Sequence, residues 1–156
     1  MLKLAIIGTG NISHQFIEAC QLSKAYQLTA VYSRKLETAR AFAKTYEPLE
    51  VFDNLEQFWK ADFDVVYIAS PNAIHFEQAK QAITAQKHVI VEKPAFSNPR
   101  ELRTIIDLAV ENHVFFFEAA RNYHEKAFKT IEAFLADQTI LGADFSYAKY
   151  SSKMKD

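Results

Sequence analysis

The sequence predicts an α/β fold in which a mostly parallel, doubly wound sheet is covered by helices on both faces. Apolar runs of strand length alternate with amphipathic segments of helix length from Lys3 to Glu118, and this order is typical of βαβ units. Most of the apolar runs are continuous rather than alternating, which indicates strands that are buried on both faces. The 156 residues are about the size of one ordinary domain.

The first βαβ unit is predicted from an apolar run at residues 3–7, an amphipathic helix at about 13–22 and a second apolar run at 28–32. The same alternation then repeats along the chain. It predicts helices at residues 36–46, 55–60, 73–85 and 99–112, and strands at 51–52, 64–69, 88–91 and 114–118. The three phenylalanines at residues 115–117 are interpreted as buried strand positions rather than as an aromatic ligand site, and Trp59 as helix packing.

The C-terminal section has a different pattern. A helix at about residues 128–136 leads to Gly142, and residues 143–150 alternate between apolar and polar side chains. Such alternation predicts a half-exposed antiparallel strand. No neighbouring strand is predicted for it, so we expect the sequence to be part of a longer protein and this strand to offer an exposed edge to another chain.

Composition narrows the class of partner. Lys and Arg total 18 against 19 Asp and Glu, a net charge of −1, which disfavours nucleic acid and anionic membranes and favours a small molecule. Cys20 is the single cysteine, which excludes an intramolecular disulfide and a cysteine zinc cluster and suits a reducing cytosol. The apolar N-terminus reaches Gly8 too soon for a signal peptide or a membrane span. We therefore predict a soluble, cytoplasmic protein without a metal site.

Two of the three glycines lie in the turn between the first predicted strand and helix. The turn fits the pattern G-x-G-x-x-G/A as Gly8-Thr9-Gly10-Asn11-Ile12-Ser13. Gly8 allows the tight turn, Gly10 lets the backbone approach a pyrophosphate, and Ser13 permits close packing of helix on strand. The helix N-terminus adds free N–H groups and a positive dipole end. The sequence thus predicts a Rossmann-type dinucleotide site formed by residues 8–12; an ordinary turn after a buried strand is the alternative.

The end of the second predicted strand bears on the choice of dinucleotide. An NAD-selective site usually places Asp or Glu there to bind the ribose 2′-OH. This chain instead has Ser33-Arg34-Lys35, and a hydroxyl with cations suits a 2′-phosphate. We predict that Ser33 and Arg34 bind the cofactor and that NADP is favoured over NAD. The alternative is that Arg34 and Lys35 are solvated charges at the start of the next helix.

Polar clusters follow the later strands at their carboxyl ends, where open α/β sheets bind ligands. They comprise Ser70-Pro71-Asn72 with His75, then Glu92-Lys93-Pro94, then the residues from Glu118 onward. We expect these clusters to share one rim with the Gly-rich turn. Alternatively, Glu92 and Lys93 form a solvated pair before a turn-forming proline, and His75 is an ordinary exposed residue.

These motifs resemble the glucose-fructose oxidoreductase/inositol dehydrogenase (Gfo/Idh/MocA) family. The resemblance rests on Gly8-Thr9-Gly10, on the loop from Ser70 to His75 and above all on Glu92-Lys93-Pro94, which stand at the family's positions and in its order. It covers essentially the whole chain. It implies an NAD(P)-dependent dehydrogenase or reductase that exchanges hydride between the nicotinamide C4 and a sugar, polyol or related hydroxyl or carbonyl substrate.

The resemblance also implies roles for single residues. Lys93 would be the catalytic residue that hydrogen-bonds the reacting oxygen and takes part in proton transfer, because a cation there stabilises developing alkoxide charge. Glu92 would hold the cofactor or orient that lysine. Asn72 and His75 would contact the ribose or nicotinamide side, in the cofactor loop that begins with Ser70 and Pro71.

By the same resemblance, residues 1–139 form the dinucleotide-binding domain and residues 140–156 begin a second, antiparallel-sheet domain that is otherwise absent. That domain supplies substrate contacts and commonly forms the oligomer interface, so a homo-oligomer is expected at full length. We expect the isolated chain to bind cofactor with little or no turnover.

A non-catalytic dinucleotide sensor on the same domain is the competing hypothesis, and the fold alone does not choose between the two. Lys93 favours chemistry, because a sensor needs the Gly-rich turn but no group that transfers a proton. The short-chain dehydrogenases require a Tyr-x-x-x-Lys pair, and Tyr150-Ser151-Ser152-Lys153 is one residue too short.

Overall fold

The computed structural model describes residues 1–46, 48–146 and 148. The chain divides into two compact units, Met1–Ala120 and Arg121–Asp156. The domain boundary predicted after residue 139 concerns a longer protein. It remains a prediction.

The first unit is a six-stranded, entirely parallel sheet with the strand order β3-β2-β1-β4-β5-β6. Its strands are β1 (Leu2–Ile7), β2 (Tyr26–Tyr32), β3 (Glu50–Phe52), β4 (Val65–Ile68), β5 (His88–Glu92) and β6 (Phe116–Ala119). Its helices are α1 (Asn11–Ser23), α2 (Leu36–Ala43), α3 (Leu55–Trp59), α4 (His75–Thr84) and α5 (Pro99–Glu111), with a 3-10 turn at Asn72–Ile74. This is the doubly wound order, and it confirms the predicted fold class.

Helices cover both faces of the sheet. In β1, Leu4 and Ile6 pack into one core with α1 and α2, whereas Ala5 and Ile7 pack into the other with α3, α4 and α5. None of these four β1 residues is more than 1% exposed. A strand that is buried on both faces needs apolar residues at every position, which explains the continuous apolar runs of the sequence.

Cys20 lies on the buried face of α1, and burial raises the pKa of its thiol to about 11. The thiol is therefore protonated and unreactive at neutral pH. Cys20 is therefore a packing residue of this core.

The last strand corrects one sequence interpretation. Phe115 and Phe117 are 65% and 58% exposed, so they are not buried strand positions. Of the three phenylalanines, Phe116 packs inward, with its ring centroid 5.7 Å from that of Phe96. The sequence interpretation failed because β6 pairs with β5 alone at the edge of the sheet, where coverage of both faces is lost.

The second unit contains a 3-10 turn at Arg121–His124 and helix α6 (Lys126–Leu135). The strand predicted at residues 143–150 is not present in its described part, residues 143–146 and 148. A strand is defined by its ladder of hydrogen bonds, and these residues have no ladder partner within the described chain. The remaining positions of the prediction, Tyr147, Lys149 and Tyr150, lie outside the described residues.

Among the residues that the structure describes, no helix combines the length and the apolar character needed to cross a bilayer.

Replacing Phe58 with alanine tests the core beneath α3. Phe58 is fully buried, and its ring lies 5.0 Å from those of Trp59 and Phe63. Because the cavity cannot close around so many aromatic neighbours, we expect Phe58→Ala to lower the free energy of unfolding in urea by about 3–5 kcal/mol. Leu22→Ala is the control, since Leu22 is 85% exposed on α1, and should stay within about 0.5 kcal/mol. Equal losses in the two variants would contradict this core.

Candidate functional site

The turn after β1 is shaped by close contact with the loop after β4. Gly8 has φ +102°, and a Cβ added to it would lie 2.5 Å from the carbonyl oxygen of Ala69. The hydroxyl of Ser13, which is fully buried, donates to the carbonyl of Gly8 at 2.8 Å. The local geometry therefore requires glycine at position 8 and suits a small side chain at position 13, as the motif predicted.

Helix α1 begins at this turn. Gly10 precedes the helix in an extended conformation, and its carbonyl accepts the first helical hydrogen bond from the amide of Ser13 at 3.0 Å. Within the described residues no side chain caps the helix, and a Cβ on Gly10 would meet no atom within 4 Å. The N-terminal amides and the positive end of the helix dipole are thus presented beside open space, which suits an anion.

A cavity of about 190 Å³ lies at the carboxyl ends of β1, β2 and β4. Because the chain leaves β1 between β2 and β4, this is the crevice at which open α/β sheets bind ligands. Six predicted site residues line the cavity: Gly8, Thr9, Ser33, Arg34, Ser70 and Pro71. The other lining residues are Ile7, Tyr32, Ala69, Ile74 and Gln78.

The loop after β2 gives the cavity its charge. The amide of Gly8 donates to the carbonyl of Tyr32 at 3.2 Å, and the amide of Ser33 donates to that of Phe52 at 3.1 Å, so the loop is tied to strands on both sides. The lining residues include one cation, Arg34, and no carboxylate. The cavity wall therefore favours an anionic group near the end of β2.

The loop after β4 is held by two buried polar side chains of α4. The hydroxyl of Ser70 donates to Oε1 of Gln78 at 2.6 Å. The imidazole of His75 is fully buried, with Nε2 2.8 Å from the carbonyl oxygen of Ser70 and Nδ1 3.1 Å from that of Ala95. We predicted that His75 contacts the ribose or nicotinamide. The structure instead turns the ring into the core, because the first residue of α4 faces the sheet, and both of its nitrogens already face protein carbonyls.

The turn after β5 presents Lys93 to solvent. The buried Tyr67 hydroxyl donates to Oε1 of Glu92 at 2.6 Å, and Oε2 of the same carboxylate accepts from the amide of Lys93 at 3.1 Å. Burial, together with the bond to Glu92, raises the pKa of Tyr67 well above its usual range. The phenol is therefore a permanent donor, and the carboxylate of Glu92 is bound to the turn itself.

The remaining predicted residues lie at the same edge of the sheet but outside the cavity wall. Gly10, Asn11 and Ile12 continue from the turn into α1, and Asn72 begins the 3-10 turn. Glu92 ends β5, and Lys93 follows it. The structure thus brings the predicted residues to one rim, except that the side chain of His75 lies beneath it.

Sequence reasoning missed several residues of this site. Gln78 had a signal, because it is a polar residue one helical turn after His75 on a face that otherwise carries alanine and isoleucine. Tyr67 had no local signal, because its hydroxyl meets a residue 25 positions along the chain. Ile74 likewise joins the cavity wall only because the 3-10 turn brings it there.

Comparison with known proteins adds a family and a set of relatives. Residues 2–120 match the GFO_IDH_MocA model, an oxidoreductase family with an NAD-binding Rossmann fold. The chain is 41% identical over 155 residues to the uncharacterized oxidoreductase YgjR of Escherichia coli (strain K12), covering 98% of this chain and 47% of that protein. It is 40% identical over 155 residues to the scyllo-inositol 2-dehydrogenase (NADP(+)) IolU of Bacillus subtilis (strain 168), with the same coverage of 98% and 47%. The chain therefore spans about half the length of the curated relatives that it matches.

Solved structures share the fold. The 3-ketoreductase KijD10 from Actinomadura kijaniata, in complex with NADP and TDP-benzene, superposes with a TM-score of 0.81 at 22% identity, over 87% of this chain and 42% of that one. The WlbA dehydrogenase from Bordetella pertussis, in complex with NADH and UDP-GlcNAcA, gives a TM-score of 0.79 at 21% identity, over 86% and 41%.

A pair of glycine substitutions tests the turn. We expect Gly8→Ala to lower the free energy of unfolding by at least about 2 kcal/mol, because the new Cβ meets backbone and φ is positive. Gly10→Ala is the matched control; it meets no atom and should change stability by less than about 1 kcal/mol. Urea denaturation measures both. Equal tolerance at the two positions would show that the close approach at Gly8 is wrong.

Proposed function

We propose the function of this chain from its family: the chain belongs to the GFO_IDH_MocA family of oxidoreductases, which have an NAD-binding Rossmann fold. The chain binds a nicotinamide dinucleotide along the rim formed by the loops after β1, β2, β4 and β5. In the full-length protein it transfers hydride between the cofactor and a sugar, polyol or related hydroxyl or carbonyl compound.

The cavity between the loops after β1, β2 and β4 is the observation that carries this proposal. It lies beside the N-terminus of α1, and its wall contains Gly8, Ser33 and Arg34. In this assignment the pyrophosphate lies over the backbone of Gly10 and the first amides of α1, where hydrogen-bond donors and the helix dipole stabilise its charge. The adenosine half then extends towards the end of β2.

NADP is the favoured cofactor in our proposal. Arg34 and Ser33 can bind a 2′-phosphate by charge-assisted hydrogen bonds, and the cavity wall lacks the carboxylate that would bind a 2′-OH. The names of similar proteins point both ways, since IolU is named for NADP(+) and WlbA was solved with NADH. The preference therefore rests on the residues of this chain.

Lys93 is the proposed catalytic residue. When bound, the nicotinamide supplies or accepts the hydride at C4, and the protein must handle the charge and the proton on the substrate oxygen. The exposed ammonium of Lys93 can hydrogen-bond that oxygen, stabilise alkoxide character and transfer a proton. Ser70, Pro71 and Asn72 then support the ribose or nicotinamide from the neighbouring loop.

The substrate class follows from family and relatives rather than from this chain. The relatives include a scyllo-inositol dehydrogenase and a glucose-6-phosphate 3-dehydrogenase. In our proposal residues 140–156 begin the second domain, which supplies further substrate contacts and the interface of a homo-oligomer.

Calorimetric titration with NADPH and NADH tests the cofactor assignment. We expect NADPH to bind this chain about 10- to 100-fold more tightly than NADH, because a charge-assisted hydrogen bond contributes about 1.5–3 kcal/mol. Arg34→Ala should abolish most of this preference while leaving NADH affinity within about 3-fold. Higher salt should weaken NADPH binding more than NADH binding.

Arg40→Ala is the control for charge, because Arg40 lies in α2 but not in the cavity wall. Its NADPH affinity should match that of the unmodified chain. If the two dinucleotides bind with equal affinity and Arg34→Ala changes neither affinity, Arg34 is a solvated charge rather than a cofactor contact. A folded chain that binds neither dinucleotide would overturn the proposed site.

Replacing Lys93 with methionine in the full-length protein tests its chemical role. Because the change removes the ammonium and keeps the length of the side chain, we expect kcat to fall by about 100-fold or more. The dissociation constant of the dinucleotide should stay within about 3-fold. Lys60→Met provides the control, since Lys60 follows α3 at the opposite end of β4. An unchanged rate in Lys93→Met would remove the catalytic assignment.

A further inference from the structure

In the turn that carries Lys93, other side chains hold the backbone, whereas the side chain of Lys93 itself is exposed. Lys93 and Pro94 are exposed, whereas Ala95, two residues on, is 2% exposed. A lysine side chain has many rotamers, so the position of its ammonium depends on how firmly its backbone is held. Three side chains from other elements hold that backbone.

Tyr67 holds the turn from the face of the sheet covered by α1. Its ring is 1% exposed and lies against that of Phe16, with centroids 3.8 Å apart and planes 2° from parallel. Its hydroxyl donates to Oε1 of Glu92, whose Oε2 accepts from the amide of Lys93. Tyr67 thus holds the carboxylate of Glu92 in place, and that carboxylate in turn holds the backbone amide of Lys93.

His75 holds the turn from the opposite face. Its ring lies between the carbonyls of Ser70 and Ala95, at 2.8 and 3.1 Å. It is the first residue of α4, so it joins the start of that helix to the loop after β4 and to the turn after β5. The residue that the sequence assigned to the cofactor therefore connects the two loops that would surround it.

Glu118 completes the arrangement from β6. Its Oε1 accepts from the amide of Ala95 at 2.8 Å. The amide of Ala95 is therefore held by Glu118, its carbonyl oxygen lies 3.1 Å from Nδ1 of His75, and the amide of Lys93 is held by Glu92. Backbone groups on both sides of the exposed dipeptide have partners.

We propose that Tyr67, His75 and Glu118 are positioning residues that fix the ammonium of Lys93 relative to the nicotinamide and the substrate oxygen. The inference rests on the proposed function of Lys93. None of the three needs to touch cofactor or substrate, because each acts through the backbone of residues 92–95.

The placement of these groups argues for position rather than stability. Burying a phenol or an imidazole costs desolvation energy, and an apolar side chain of similar shape would pack at lower cost. Besides the tyrosines, the buried polar residues of the described chain are Ser13, His75 and Gln78, and all three contact loops at the carboxyl edge of the sheet. Polar burial is thus concentrated at the loops that form the site.

Tyr67→Phe in the full-length protein is the central test, because it removes one hydroxyl and keeps the ring stacked on Phe16. We expect kcat to fall about 10- to 100-fold, the effect of a misplaced catalytic group, with KM for the dinucleotide within about 2-fold. In the Lys93→Met background the same substitution should cause no further loss beyond about 2-fold, because its effect passes through the lysine. A structural defect would instead multiply the loss.

Tyr46→Phe is the matched control. It also removes a tyrosine hydroxyl that contacts a side chain of another element, His14 of α1, but Tyr46 lies just after α2 rather than at the turn after β5. Its kcat should be unchanged. Urea denaturation of both variants then separates a general loss of stability from a loss of position.

Substitutions at His75 and Glu118 test the other anchors. His75→Gln keeps an amide donor and should retain kcat within about 5-fold, whereas His75→Leu should lose about 10- to 100-fold. Glu118→Ala should accelerate hydrogen exchange at the amide of Ala95 by about 10-fold or more. Tyr67→Phe should accelerate exchange at the amide of Lys93 to a similar extent. This exchange is measured without cofactor, so it tests the anchors independently of turnover.

The outcomes separate this inference from the proposed function. If Lys93→Met reduces kcat but Tyr67→Phe and His75→Leu do not, the positioning roles are wrong and the catalytic lysine stands. The positioning roles are also wrong if Tyr67→Phe causes the same further loss in the Lys93→Met background. If Lys93→Met leaves kcat unchanged, both proposals fail, whatever the exchange rates show.

Discussion

The close approach of the Gly8 backbone to the loop after β4 is the constraint on which the rest of the site depends. β1 lies between β2 and β4, so the chain leaving β1 meets both neighbouring loops. A Cβ at position 8 would lie 2.5 Å from the carbonyl oxygen of Ala69. Glycine alone lets the loops after β1 and β4 touch, and the cavity forms where these loops and Ser33-Arg34 diverge from the sheet.

Side chains of α1 and α4 then tie these loops to the helices that follow them, and His75 of α4 lies between two separate loops. Ser13 binds the turn at Gly8, Gln78 binds Ser70, and His75 faces carbonyls of two separate loops. The sheet beneath is stabilised by apolar packing on both faces. Apolar packing therefore makes the sheet a rigid scaffold, and the buried polar side chains set the geometry of the loops at its edge.

The charged residues proposed for the site act through local contacts rather than through the net charge of the chain. The chain as a whole is nearly neutral, so long-range attraction contributes little to recognition. The cation in the cavity wall is Arg34, and a second cation, Lys93, is exposed on the turn after β5. In the proposed function the first selects a phosphate and the second stabilises an oxygen anion, and each acts through a local contact at a position set by the sheet.

The sequence by itself determined the order of the elements and the turn at Gly8, because periodicity and residue type are local properties. The tertiary structure decided that His75 is buried, that Gln78 lines the cavity and that Phe115 is exposed, and it showed no strand in the described part of residues 143–150. These outcomes depend on which strands and helices become neighbours. β4 lies beside β1, α4 packs its first turn under two loops, and β6 is left at the edge. Such neighbours are separated by tens of residues along the chain, and no local pattern encodes them.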